Sequence, residues 1–318
     1  MPIAEDVLSH LLAAYKSDRA VSARFSLSHP WALASSGVEG LLVRMCSGAD
    51  YWISIEGEAP VRISEGDIVA LPPSTPHVVS SELKLEPVPF RTLIEAHMVG
   101  RHGEHPLVFS HGAGGASTEL YSLHVWMPAV ALGPLLRALP RLMVIRRAEV
   151  ASTAALALAM AALVDETISQ QPGWQLAVAR LADLLLVHIL RAHLGTQAQT
   201  KPGVLAAMND RRLSQALTRI HAQPAKPWSL ATLATVCGMS RTVFSEQFRA
   251  SVGMTPMQYL TAYRMTVAAE RLKNTHLTMA EVSEIAGYNS EKAFARAFQR
   301  WIGMSPAAYA RQLTAPRR

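Results

Sequence analysis

Cysteine is scarce in this 318-residue chain: there are two, Cys46 and Cys237, in segments that fall into different predicted domains. A disulfide framework is not expected from them, and such usage fits a reducing cytoplasm. Long apolar runs are missing as well. The most apolar stretch, Ala151 to Val164, is about 14 residues, short of the ~20 that a membrane span needs. No basic segment precedes an apolar run near the start, so no signal peptide is expected. The glycine-rich "SHGAGGAS" (Ser110 to Ser117) contains no lysine and no G-x-x-x-x-G-K-[ST] pattern. It reads as a flexible connection, not a nucleotide cradle.

What is present is unevenly spread. Residues 1–200 hold 14 Lys+Arg against 18 Asp+Glu, and residues 201–318 hold 16 against 6. The balances are −4 and +10, which sum to the formal net charge of +6. A basic module joined to a mildly acidic one suits a phosphate-binding domain attached to a sensory one.

The basic module contains a pattern that is written twice. "LATLATVCGMSRTVFSEQFRASVGMTPMQYL" (Leu230 to Leu260) is followed by "MAEVSEIAGYNSEKAFARAFQRWIGMSPAAYA" (Met279 to Ala310). A shift of 50 places Ser240 on Ser290, Phe244 on Phe294, Phe248 on Phe298, Pro256 on Pro306 and Tyr259 on Tyr309. This is a duplicated supersecondary unit. Ser229 stands where an N-cap belongs, and Leu230, Leu233 and Val236 give a short helix its apolar side. Gly238 ends that helix, because glycine alone takes the left-handed conformation without a Cβ penalty. Ser240 then caps a second helix, expected to put Val243, Phe244, Gln247 and Phe248 along one side and Arg241, Thr242, Ser245, Glu246 and Arg249 along the other. Helix, glycine turn, polar-faced helix is the helix-turn-helix arrangement, whose second helix enters the major groove.

Between the copies, Pro256 opens a helix running to about Lys273. Its roughly 18 residues span ~27 Å, a rod able to hold two recognition helices about one DNA turn (~34 Å) apart. "DRRLSQALTRIHA" (Asp210 to Ala222) supplies the leading helix, through Leu213, Leu217 and Ile220. With its "GMTPMQY" and "GMSPAAY" endings, this stretch of about 100 residues resembles the AraC/XylS family of transcription regulators.

The N-terminal region reads differently. Residues 5 to 16 form an amphipathic helical pattern, and from Ala23 to about Val99 the period becomes two. "FSLSHPWALAS", "GLLVRMCSG", "DYWISIEG", "APVRISEGDIVALPPSTPHVVSS" and "FRTLIEAHMVG" are expected strands of a small barrel or sandwich, closed by "TELYSLHVWM". In "EGDIVALPPSTPHVV", Gly66-Asp67 turns, Ile68 to Leu71 is a buried strand, Pro72-Pro73 breaks it, and His77 opens the next. This spacing resembles the second motif of the cupin fold, and residues 5 to 200 resemble the cupin-type sensor often joined to AraC-type domains. Ser74 replaces the motif's usual glycine, and the first motif's histidine ligands have no counterpart in "RMCSGADYWISIEG". From Val130 the period becomes helical: "ALGPLLRALPRLMVI" around Pro140, then helices ending near Ser169 and spanning Trp174 to Leu194. The last is apolar nearly all round, which calls for burial against a partner and predicts a homodimer.

The expected fold class is therefore α+β: a cupin-like β-barrel with flanking helices, then an all-α domain with two helix-turn-helix motifs joined by a long helix. The domains run from 1 to 198 (sensing and dimerisation), 199 to 207 (linker) and 208 to 318 (DNA binding). The resemblance implies double-stranded DNA, a small-molecule effector and RNA polymerase as partners, with no membrane association and no cofactor. Candidate DNA contacts are Arg241, Thr242, Ser245, Glu246 and Arg249 in the first copy. Ser290, Glu291, Lys292, Arg296, Gln299 and Arg300 are those of the second, with Arg296 at the family's usual base-contacting position. Arg211, Arg212 and Arg264 are expected phosphate contacts. Trp31, Cys46, Trp52 and His77 are candidates for an effector pocket. His77 and His111 are weak metal-ligand candidates among six histidines between positions 77 and 124, against the reading of all six as surface or hydrogen-bonded residues. Cys46, two residues from Arg44, is either a redox sensor or a small core residue. The competing classes are a DNA-tethered cupin enzyme or metal or redox sensor, and a purely architectural DNA binder.

Overall fold

The computed structural model describes residues 19–97, 107–126, 139–147, 153–196, 207–208, 210–273 and 276–314. The chain divides into two compact units, one built on residues 17–129 and 139–195, the other containing residues 196–318. The helix expected over residues 5 to 16 and the linker at 199 to 207 lie outside the described residues or nearly so.

The first unit is a two-sheet barrel with helices packed against it. Its strands are β1 (Arg19–Ser28), β2 (Ala32–Ser35), β3 (Leu41–Gly48), β4 (Tyr51–Ser54), β5 (Val61–Ile63), β6 (Ile68–Leu71), β7 (His77–Ser80), β8 (Val88–Pro89), β9 (Leu107–Gly112), β10 (Ser117–Trp126) and β11 (Met143–Ile145). One sheet has the order β11-β6-β3-β10-β1-β9 and the other β5-β4-β7-β2-β8. Long antiparallel pairing carries the first sheet, with β10 between β1 and β3. The alternation read in the sequence sends one side of each strand inward. Phe25, Leu27, Leu42, Cys46, Tyr51, Ile53 and Leu120 meet in the shared core. On the other side of the six-stranded sheet, helix α2 (Thr153–Ser169) packs onto β1 and β10. Helix α3 (Trp174–Thr196) follows it. Among the described residues no helix is long and apolar enough to cross a membrane.

Three local expectations are corrected. "FRTLIEAH" is not a strand but helix α1 (Phe90–His97). Phe90, Leu93 and Ile94 fall at helical spacing on the face packed against the barrel core, while Arg91 and Glu95 form an exposed i,i+4 ion pair. Met143–Ile145, expected in a helix, pairs antiparallel with β6 as an edge strand. Ser110 to Gly112, expected in a connection, belong to β9, which runs parallel to β1. The connection itself shrinks to residues 113–116.

The second unit is helical: α4 (Leu213–Ala222), α5 (Leu230–Val236), α6 (Arg241–Val252), α7 (Pro256–Arg271), α8 (Met279–Ile285), α9 (Glu291–Ile302) and α10 (Pro306–Thr314). The long helix α7 packs against α6 on one side and α8 and α9 on the other.

Candidate nucleic-acid interface

The duplication in sequence is a duplication in geometry. Ser229 Oγ accepts from Thr232 N at 3.1 Å and caps α5. Ser240 Oγ accepts from Val243 N at 3.3 Å on α6, and Ser290 Oγ accepts from Ala293 N at 3.2 Å on α9. Each of these caps satisfies one of the backbone donors that a helix start leaves unpaired. The tight turns use glycine in the left-handed region in both copies, Gly238 at φ 61° and Gly287 at φ 76°. Behind each second helix stands the same aromatic stack. Phe244–Phe248 and Phe248–Tyr259 centroids lie 5.5 and 5.7 Å apart, and Phe294–Phe298 and Phe298–Tyr309 lie 5.5 and 5.6 Å apart. All six rings are buried, so they are core and not base-stacking platforms. Tyr259 Oη also meets His221 Nε2 at 2.7 Å.

With the aromatics turned inward, the polar residues of α6 and α9 are turned out. Arg241, Thr242, Glu246 and Arg249 are exposed and Ser245 is half-buried. In the second copy Ser290, Glu291, Lys292, Arg296, Gln299 and Arg300 are all exposed. Ser240 and Ser290 carry the cap bonds above; among the described residues the remaining charged side chains of this set make no hydrogen bond or ion pair within the chain. Glu246 does not pair with Arg249. Two capped helices, each presenting an uncommitted polar face, are placed by one rod.

Of Val243, Phe244, Gln247 and Phe248, grouped along one side of α6, only the two rings are buried: Val243 is 42% exposed and Gln247 is exposed. Four helical positions separate them, so both lie along the flank of the polar face. Arg264 is not a free phosphate contact. Its Nε donates to Pro224 O at 2.7 Å and its Nη2 to Lys226 O at 2.9 Å, with the guanidinium over Tyr288. Arg211 and Arg212 remain exposed ahead of α4.

In the first unit the pocket candidates separate. Trp31 and Cys46 are buried in the inter-sheet core, and Trp52 sits half-buried on the opposite side of β4 from Tyr51 and Ile53. Cys46 Sγ donates to Ser64 O at 3.3 Å. Burial, with Asp67 and Asp50 adding to it, pushes the thiol up to about 12, so it carries no thiolate at neutral pH. The Arg44 guanidinium is engaged elsewhere. It donates from Nη1 to His77 Nε2 at 2.9 Å and lies over the Phe90 ring. Because arginine can only donate, Nε2 accepts, and the Nδ1–H of His77 donates to Thr75 O at 2.9 Å. Burial holds His77 down at about 3, and both ring nitrogens are committed, which leaves no lone pair for a metal. His111 stands on β9, in the other sheet from His77. Among the described residues no group of three or more His, Cys, Asp or Glu is placed to hold a metal ion.

A barrel of this kind joined to paired helix-turn-helix units defines a cupin-domain helix-turn-helix protein. The Cupin family matches residues 6–195, and the Helix-turn-helix domain family matches residues 233–312. The HTH-type transcriptional regulator AlkR of Acinetobacter baylyi is 28% identical over 287 residues, covering 89% of this chain and 91% of that protein. An AraC-like transcription regulator of Streptomyces lividans is 36% identical over 154 residues, 48% of this chain and 51% of that protein. The matches thus span about half the length of the Streptomyces relatives. Among solved structures, ToxT from Vibrio cholerae covers 94% of this chain and 99% of its own, at 8% identity and a TM-score of 0.37. The chain belongs to the AraC family of transcription regulators, with a cupin domain at its N-terminal side.

Proposed function

We propose that the chain is a sequence-specific DNA-binding transcription regulator and not an enzyme, with residues 208–318 reading the operator. The observation that carries this is the pair of exposed, uncommitted polar faces on α6 and α9, repeated at equivalent positions around α7. Backbone attraction comes from the +10 balance of residues 201–318, including Arg211 and Arg212. Base readout comes from Arg241, Thr242, Ser245, Glu246 and Arg249 on α6, and from Glu291, Lys292, Arg296, Gln299 and Arg300 on α9. RNA polymerase is the expected protein partner at the promoter. Fluorescence anisotropy on duplex DNA across a salt series tests the reading. The logarithm of affinity should fall steeply with the logarithm of salt, and a specific duplex should outcompete a scrambled one. Equal affinity for both would refute the base-reading role of α6 and α9.

Residues 1–198 are proposed as the sensing and pairing domain, joined through a linker at 199–207. Leu158, Leu176, Leu184 and Ile168 on α2 and α3 are exposed, Leu158 by 72% and Leu176 by 63%. Surface leucines at this density on one helix pair favour a second copy of the chain as their cover. Sedimentation showing a strict monomer at micromolar concentration would contradict dimerisation.

A further inference from the structure

Arg44 is 3% exposed inside the barrel, yet among the described residues no carboxylate faces it. Its bonded partner is a neutral imidazole, its stacking partner is Phe90, and its Nε has no acceptor among the described residues. The neighbouring acids are spoken for. Asp67 accepts from Arg146 at 2.6 Å and from Ser64 N, and Asp50 pairs with Arg62 at 2.9 Å. Two further buried donors in the same core are also without acceptors among the described residues: Tyr51 Oη and Trp31 Nε1. Their rings lie 6.1 Å apart, and Tyr51 is near enough to Arg44 for each to influence the other's charge. Burial lowers the guanidinium to about 10, so it stays charged at neutral pH. A buried, unneutralised cation in a core that holds two further orphaned donors is unfavourable, since buried polar groups are normally paired. All three share one need, an anionic group with several lone pairs.

We infer that the inter-sheet core is a recognition site for a small carboxylate with a compact apolar remainder, its charge met by Arg44 and its flanks by Tyr51 and Trp31. His77 is a positioning residue here: Thr75 O fixes its tautomer, and its Nε2 then orients Arg44. Phe90, Ile53 and Leu33 supply the apolar surroundings. The inference rests on the reading of this unit as the sensor, and it names the chemical class sensed.

The test is a thermal-shift and calorimetric titration of the full chain with butyrate and phenylacetate, using butyramide and phenylacetamide as neutral controls. The carboxylates should stabilise the first unit and the amides should not. Arg44→Met should weaken carboxylate binding by at least about thirtyfold, as expected when one partner of a buried charge pair is removed. It should melt no lower than the parent without ligand, because it also removes an uncompensated charge. Tyr51→Phe, which only deletes a hydroxyl, should weaken binding about tenfold, as for one hydrogen bond to a charged group. It decides the matter if Arg44→Met does not fold. Absence of stabilisation by either carboxylate, equal stabilisation by the amides, or an unchanged response in both variants would overturn the inference. Operator binding by both variants without ligand should match the parent. Failure of the parent itself to bind DNA selectively would instead overturn the regulator reading, whatever the carboxylates do.

Discussion

Gly238 and Gly287 occupy the same place in the two copies, and the structure gives them different neighbours. Both sit in the left-handed region, at φ 61° and 76°, so an alanine at either carries about 1–2 kcal/mol of backbone strain. A Cβ on Gly238 would meet nothing within 4 Å. On Gly287 it would lie 2.8 Å from Ala225 Cα and O and 2.9 Å from Arg264 Nη2. That nitrogen belongs to the guanidinium bonded to Pro224 O and Lys226 O. The loop after α4, the long helix α7 and the second turn therefore meet at Gly287, which ties one helix-turn-helix unit to the other. Overpacking there adds about 1–3 kcal/mol, so Gly287→Ala should lose about 2–5 kcal/mol against about 1–2 for Gly238→Ala. Native-state hydrogen exchange reads this locally in the full chain. Amides of α8 and α9 should lose more protection in Gly287→Ala than those of α5 and α6 lose in Gly238→Ala. Affinity for operator DNA should fall further as well, because α9 would be displaced from its register with α6. Equal losses in the two variants would refute the claim that the second turn is a junction between the units.

Arg296→Ala should relax preference at one operator position by about 1–3 kcal/mol, measured by competition among duplexes changed one base pair at a time; uniform weakening would make it a phosphate contact only. Cys46, pushed up to about 12, should resist alkylation at neutral pH until the barrel unfolds, and Cys46→Ser should leave any response to oxidant unchanged. His77 is held at about 3, against an ordinary 6.5, by burial first and Arg44 second. Below 6.5 the unfolded chain therefore binds a proton that the folded barrel refuses, and barrel stability should fall as pH drops from 6.5 toward 3. His77→Gln should shallow that slope in melting temperature, with His124, also lowered by burial, supplying some of what remains.

The helical unit was legible because its signals are local and repeated. Ser240, Gly253, Pro256 and Tyr259 each fix a cap, a turn or a core position within a few residues, and each recurs 50 positions later. The barrel was legible where a strand lies beside its own turn, as in Ile68–Leu71 before Pro72-Pro73. It failed where pairing is distant. Leu107–Gly112 joins a strand more than 80 residues earlier, and Met143–Ile145 completes the edge beside β6, neither of which a local period announces. The α1 stretch reads as a strand in sequence because eight residues hold only two turns of helical spacing. Arg264 reads as a basic surface residue because its carbonyl partners lie 40 and 38 positions away. For Arg44 a signal was present. It shares the inward parity of Leu42 and Cys46 on β3, and a charge on that parity marks either a buried pair or a site.

The most direct test of the regulator reading is selection of bound fragments from genomic DNA by the purified full chain at near-physiological salt. Two exposed recognition helices on one rod predict a shared motif of two half-elements about one helical turn, ~34 Å, apart. Recovery of fragments with no common sequence would mean that α6 and α9 offer only a basic surface, and would contradict the account.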